Sequence, residues 1–137
     1  MKIKSSFVLL LGFALILACI SSGPAFAHHS FAAQYDRSKP NMITGPVTKI
    51  DWINPHARFF VDVKDASGKV VNWEVELGPP AGLMRRGWSR NTLKVGDSVT
   101  VNGFLAKDGS NLTNAQTVTL SDGKKVFAGS SADGTNP

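Results

Sequence analysis

The sequence predicts an all-β domain with one short helix, arranged as a five-stranded OB-like Greek-key barrel. Five segments carry the hydrophobic pattern of strands, and turn-forming residues separate them. A single helical segment lies between the third and the fourth of these strands, which matches the element order of an OB-fold. A small open β-sandwich is the alternative arrangement of the same strands.

The first three predicted strands follow one another through short turns. The first covers residues 43–52, and Asn54-Pro55 then marks a turn. Residues 57–64 alternate between apolar and polar side chains, as in a half-buried strand. Residues 65–68 form a hairpin connection that includes a glycine, and residues 71–77 form the third strand.

The second half of the chain begins with the short helix and ends with two strands. Two prolines stop the third strand, and residues 81–86 then form a helix with Gly87 as its C-terminal cap. Residues 98–106 and 113–120 are the fourth and fifth strands, and residues 124–127 are a further extended segment.

The first 27 residues have the order of a secretory signal peptide. Lys2 and Lys4 precede an apolar run at residues 7–20, which is shorter than the roughly 20 residues of a membrane-spanning helix. Residues 25–27 supply the small-x-small cleavage pattern, whereas the sequence before Cys19 fits a lipoprotein site less well. Cleavage after Ala27 therefore predicts a periplasmic or secreted protein without a transmembrane span.

This cleavage leaves three regions and changes the charge. We expect an N-terminal arm at residues 28–42, the barrel domain at 43–128 and a disordered polar tail at 129–137. The mature chain loses two lysines and the single cysteine, so its formal charge becomes 13 − 10 = +3. A charge this small gives little reason to expect a polyanionic partner, and nucleic acid is not expected outside the cytoplasm.

The three histidines, His28, His29 and His56, are the main candidate metal ligands. Cleavage after Ala27 gives His28 a free α-amine, which forms a chelate ring together with its own imidazole. An imidazole from His29 or His56 completes a three-nitrogen site, which suits copper first and zinc second. Strand pairing is expected to bring Glu76, or Glu74, near His56, where the carboxylate is either a fourth ligand or an acceptor for the second imidazole N–H. The competing interpretation is a frayed terminal pair and a histidine that hydrogen-bonds within a turn.

A metal-free adaptor or ligand-binding module is the alternative function. Phe60 on the outer face of the second strand, Trp52, and the pair Arg85 and Arg86 are its candidate contacts to a protein, glycan or envelope surface. Trp52 and Trp88 fit either the core or a binding rim, and core packing is favoured for both. No nucleophile elbow is present and the mature chain has no cysteine, so the protein is not expected to be an enzyme.

Five motifs carry a resemblance to a known family. They are His28-His29-Ser30-Phe31, Trp52-x-Asn54-Pro55-His56, Trp73-x-Val75-Glu76, Arg85-Arg86-Gly87-Trp88 and Leu93-x-x-Gly96-Asp97-x-Val99. Through them the chain, from His28 to about Gly129, resembles a family of small exported bacterial proteins of unknown function. The resemblance implies export and singles out the histidine positions. It implies no reaction, because the family has no assigned activity.

Overall fold

The computed structural model describes residues 31–129, in which the main feature is a ring of hydrogen-bonded strands. The elements are β1 (Tyr35–Asp51), β2 (Arg58–Lys64), β3 (Val70–Glu76), α1 (Pro80–Arg85), β4 (Ser98–Ala106), β5 (Leu112–Thr119) and β6 (Lys125–Phe127). Residues 31–34 form a helical turn directly before β1. The predicted all-β class with a short internal helix is confirmed. The predicted signal peptide, His28 and His29, and nearly all of the predicted tail lie outside the described residues.

One sheet contains all six strands and closes on itself. Its order is β3-β2-β1-β4-β5-β6, and a parallel pairing between β3 and β5 completes the ring. That closure consists of three residue pairs, from Glu74 with Leu112 to Glu76 with Asn114. The single sheet excludes the two-layered sandwich that was the alternative, and the short closure leaves the OB-like ring partly open.

The first strand is longer than its hydrophobic pattern predicts. It begins at Tyr35 instead of Ile43, and its polar first half pairs with β4 while its second half pairs with β2. Backbone pairing does not require apolar side chains, so a strand whose residues are mostly exposed leaves no clear alternation in the sequence. Gly45 lies where the strand changes partner, and a Cβ at this position would overlap the carbonyl oxygen of Asp62. The lack of a side chain therefore allows β1 and β2 to approach each other closely.

The turns follow the sequence prediction closely. Asp65 accepts hydrogen bonds from the backbone N–H groups of Ser67 and Lys69 at 2.8 and 3.0 Å, and Gly68 has a φ of 84°. This Asx turn sets the register of the hairpin that joins β2 to β3. Gly87 has a φ of 90° directly after the last turn of α1, as predicted for a C-terminal cap.

Two separate clusters of buried side chains hold the domain together. The main core fills the ring and includes Phe59, Val61, Val75, Leu83, Trp88, Val101 and Val118. The smaller cluster consists of Phe31, Tyr35 and Ala106, with Phe104 and Leu112 packed against it. The smaller cluster attaches the helical turn at residues 31–34 to β4 and β5. No helical segment within residues 31–129 combines the length and hydrophobicity that a bilayer-spanning helix requires.

Candidate functional site

An ion pair between a loop histidine and a buried glutamate forms the candidate site. His56 follows the cis peptide bond between Asn54 and Pro55 in the loop that joins β1 to β2. Its Nδ1 atom lies 3.1 Å from Oε1 of Glu76, the last residue of β3. Arg58 is paired in register with Glu76, so the hairpin brings the loop and the end of β3 together. Of the two glutamates expected near His56, the structure brings Glu76 into contact with it.

Glu76 is buried on the opposite face of β3 from the main core. Its neighbour Val75 lies in the main core, and strand alternation directs Glu76 to the other face. The side chain of Glu76 is only 5% exposed. Nδ2 of Asn114 lies 3.4 Å from Oε1, and Nη2 of Arg58 lies 3.4 Å from Oε2. Both carboxylate oxygens therefore already face donors within the protein.

The guanidinium of Arg58 bridges two carboxylates. Its Nη1 atom lies 2.7 Å from Oε1 of Glu74, while its Nη2 atom faces Glu76. Glu74 belongs to the same strand and is half-buried, and it forms no hydrogen bond or ion pair with His56 within residues 31–129. The two glutamates thus share one arginine, whereas the histidine pairs with only one of them.

The electrostatic environment favours the charged forms of both partners in the ion pair. Burial raises the pKa of Glu76, but the hydrogen bond and charge of His56, together with the charge of Arg58, lower this pKa below its ordinary value. The hydrogen bond to Glu76 raises the pKa of His56, and partial burial opposes this rise. The pair therefore favours imidazolium beside carboxylate at mildly acidic pH.

A buried tyrosine completes the site. Tyr35 is 2% exposed, and its hydroxyl has no partner at hydrogen-bonding geometry within the described part of the chain. Burial and the nearby negative charge of Glu76 both raise the pKa of Tyr35 well above its ordinary value. The phenol is therefore neutral, and its O–H lies beside the carboxylate, where it helps to lower the pKa of Glu76.

Sequence reasoning missed Tyr35 and Asn114 as members of this site. Tyr35 lies four residues after Phe31 in the segment that was predicted to be an arm, and no clear hydrophobic period there indicates its position. The two rings do pack together, with their centroids 5.3 Å apart. Asn114 approaches Glu76 only through the parallel pairing of β3 with β5, which no local pattern indicates.

The other candidate residues lie elsewhere on the domain. Trp88 is buried in the main core and donates from Nε1 to the carbonyl of Phe127 at 2.9 Å. Trp52 is half-buried and packs against that core. Both positions match the favoured core interpretation.

Phe60 and the two arginines are more accessible. Phe60 is half-buried, with Nζ of Lys49 5.0 Å from the centre of its ring. Arg85 and Arg86 line a cleft beside α1. None of these three side chains makes a described hydrogen bond, ion pair or ring contact with His56 or Glu76.

Within residues 31–129, no group of three or more His, Cys, Asp and Glu side chains is arranged to hold a metal ion. The described part of the chain contributes one histidine, His56, to the predicted metal site. A polydentate site at His56 therefore requires donors from outside the described residues or from a second molecule.

The ring of hydrogen-bonded strands and the ionic cluster of His56, Arg58 and Glu76 define a small OB-like β-domain with a polar site between a loop and two strands. The chain belongs to a family of unknown function, DUF6152, whose model matches residues 15–115. A comparison with curated protein sequences gives no match.

Proposed function

We propose that the protein is an exported, non-enzymatic binding protein that holds a transition metal, copper in preference to zinc, through His56 and the two N-terminal histidines. One observation carries the proposal. Nδ1 of His56 is engaged by a buried carboxylate at 3.1 Å, while Nε2 has no partner within residues 31–129. Histidines that bind metals characteristically donate their second N–H to such a carboxylate, which fixes the ring orientation and the tautomer.

The surroundings of Glu76 favour the role of acceptor over that of ligand. Its two oxygens already face His56, Asn114 and Arg58. A cation bound directly to this carboxylate would also lie beside the guanidinium of Arg58, at a Coulombic cost. In this proposal Glu76 therefore orients His56, and the metal ion binds Nε2.

Chain connectivity supports a shared site for the N-terminal histidines and His56. His29 precedes Phe31 by two residues, a length of chain that spans at most about 7 Å. The ring of Phe31 packs against Tyr35, whose hydroxyl is close enough to Glu76 for the carboxylate to raise its pKa. The smaller core cluster thus anchors the chain close to the position of Glu76.

The free amine at His28 supplies the sharpest experiment. Cu(II) is titrated by calorimetry into protein that begins at His28, into the same protein with one glycine added before His28, and into His56→Ala. We expect the added residue and the loss of His56 each to weaken binding by about tenfold or more. Equal affinity in all three would overturn the proposal. Equal affinity in the protein that begins at His28 and in the glycine-extended protein alone would mean that the α-amine is not a ligand.

A matched pair of glutamate variants tests the orienting role. Glu76→Gln removes the negative charge beside His56, and Glu74→Gln removes the same charge two residues earlier on β3 without touching the histidine. Loss of an outer carboxylate partner of a ligating histidine typically weakens metal affinity by about 10- to 100-fold. We expect a loss of that size for Glu76→Gln and an affinity within about twofold of the wild type for Glu74→Gln. Equal losses would mean that net charge, and not orientation, controls binding.

The second candidate function is a metal-free docking module. Ile53 favours it, because this residue is 59% exposed beside half-buried Trp52 in the loop that carries His56. This function predicts that Phe60→Ala reduces association with isolated envelope fractions, whereas His56→Ala leaves it unchanged. The reverse result would favour the metal site.

A further inference from the structure

We propose that the cleft beside α1 binds a small oxyanion, a carboxylate or a phosphate, at a site separate from the histidine. The cleft has a volume of about 210 Å³. It is lined by Pro79, Ala81, Gly82, Arg85, Arg86 and Gly129. Two guanidinium groups thus meet on one concave surface whose other walls are small or apolar.

Arg86 is held in place before any ligand binds. Its guanidinium lies 4.2 Å from the centre of the Phe127 ring, and Nη1 donates to the carbonyl of Gly129 at 3.3 Å. A guanidinium has five N–H donors in a planar fork, and this contact uses one of them. The stacked group therefore keeps donors for a ligand and loses little side-chain entropy when a ligand binds.

Arg85 provides the second cation from the last turn of α1. Its side chain is exposed, and neither Arg85 nor Arg86 forms an ion pair with an acidic residue within residues 31–129. Ala81 and Gly82, which have little or no side chain, line the same cleft. A Cβ at Gly82 would be 3.9 Å from the Arg85 guanidinium, so the backbone itself lies beside that group.

Guanidinium groups recognise planar and tetrahedral oxyanions by paired N–H donors, which is the chemistry that selects carboxylate and phosphate.

Arg90 offers a comparison with the two arginines that line the cleft. It is an exposed arginine a few residues further along the chain, but it does not line the cleft. Arg90 is therefore the matched control for net charge.

The oxyanion comes either from solution or from the protein's own C-terminal segment, and one variant distinguishes the two sources. Gly129 lines the cleft, and Asp133 follows it four residues later in the sequence. If the carboxylate of Asp133 occupies the cleft, Asp133→Asn in the full chain removes that occupant. A several-fold rise in phosphate affinity in this variant would identify Asp133 as the natural occupant, and an unchanged affinity would identify a free oxyanion.

The experiment is a titration of metal-free protein with inorganic phosphate at constant ionic strength, followed by NMR at the backbone of residues 79–87. We expect saturable shifts there, an affinity loss of about tenfold in both Arg85→Gln and Arg86→Gln, and a loss below about twofold in Arg90→Gln. Arg86→Lys keeps the charge and the fold but loses the planar fork, and we expect it to weaken binding as well. Equal weakening by Arg90→Gln, or no saturable shift in both wild type and Asp133→Asn, would overturn the proposal.

Discussion

Oε1 of Glu76 lies 3.1 Å from Nδ1 of His56, and this contact joins the β1–β2 loop to the last residue of β3. The glutamate is almost fully buried, whereas the histidine side chain is 28% exposed. The strands therefore fix Glu76, and Glu76 in turn orients His56, which keeps access to solvent. This asymmetry is what a histidine needs in order to present one nitrogen to a ligand.

The ion pair should make stability depend on pH in two opposite senses. The raised pKa of His56 gives stability that is full below about 6.5 and declines as the pH rises through the raised value. The lowered pKa of Glu76 gives stability that is full above about 4.5 and declines as the pH falls through the lowered value. We expect the loss of stability in His56→Gln to be largest, about 1–2 kcal/mol, between pH values of about 4.5 and about 6.5. Urea unfolding from pH 3 to 9 with a chelator measures this cost, and a difference that does not vary with pH would refute the prediction.

Removing the hydroxyl of Tyr35 should be harmless to the fold. The hydroxyl is buried outside hydrogen-bonding geometry but beside the carboxylate of Glu76. In Tyr35→Phe the relieved desolvation cost therefore offsets the lost interaction with that carboxylate, and the ring packing stays. We expect the free energy of unfolding to change by less than about 1 kcal/mol in Tyr35→Phe, whereas Tyr35→Ala should cost about 3–5 kcal/mol. Denaturant unfolding of both variants checks this. A loss above about 1 kcal/mol in Tyr35→Phe would instead indicate a hydrogen-bonded hydroxyl.

Two glycines should respond very differently to alanine. A Cβ at Gly103 would overlap the carbonyl oxygen of Asn114, so Gly103→Ala must push β4 and β5 apart. Gly109 has a φ of 79° with open space around it, so backbone strain is the main destabilising effect of Gly109→Ala. We expect costs of about 3 kcal/mol or more for Gly103 and about 1 kcal/mol for Gly109. Thermal unfolding ranks the two variants, and similar losses would mean that the strands do not approach this closely.

The indole of Trp88 should contribute through its N–H as well as its bulk. Nε1 donates to the carbonyl of Phe127 at 2.9 Å and thereby ties the segment after α1 to β6. Trp88→Phe keeps most of the apolar volume but leaves that carbonyl without its donor, at an expected cost of about 1–3 kcal/mol. Urea unfolding measures the loss, and hydrogen exchange should quicken in β6 first. Unchanged protection of β6 would mean that the bond does not anchor that strand.

Local patterns predicted those parts of the site that lie within one hairpin. The alternation of β2 and β3 and the Asp65 turn together place Arg58 opposite Glu76, and so bring Glu76 to His56. Alternation also sends Glu76 away from the main core, which alone would suggest a solvent-exposed carboxylate. Its burial arises because Tyr35 and Asn114 lie over that face, through pairings that are distant in sequence. The polar first half of β1 has no hydrophobic period, so neither its strand conformation nor the position of Tyr35 could be read from the chain.

The anchoring of the N-terminal segment leads to a prediction about the proposed metal site. Phe31 packs at 5.3 Å on Tyr35 and edge-on at 6.1 Å against Phe104, in a cluster separate from the main core. Phe31→Ala should therefore release the helical turn at residues 31–34 while the strand ring stays folded. Because the proposed metal site joins His28 and His29 to His56, releasing their attachment to the domain should lower Cu(II) affinity by about tenfold, at the entropic cost of ordering a free segment.

Phe104→Leu provides the matched control for this experiment. It trims the same cluster from β4 without cutting the contact between Phe31 and Tyr35, so it should lower thermal stability with little change in Cu(II) affinity. Circular dichroism establishes that both variants keep the sheet, and calorimetry with Cu(II) compares them. If Phe31→Ala binds copper as tightly as the wild type, the N-terminal histidines do not depend on this anchor. If both variants lose affinity equally, general loosening of the domain explains the loss, because only Phe31→Ala releases the segment that leads to the histidines.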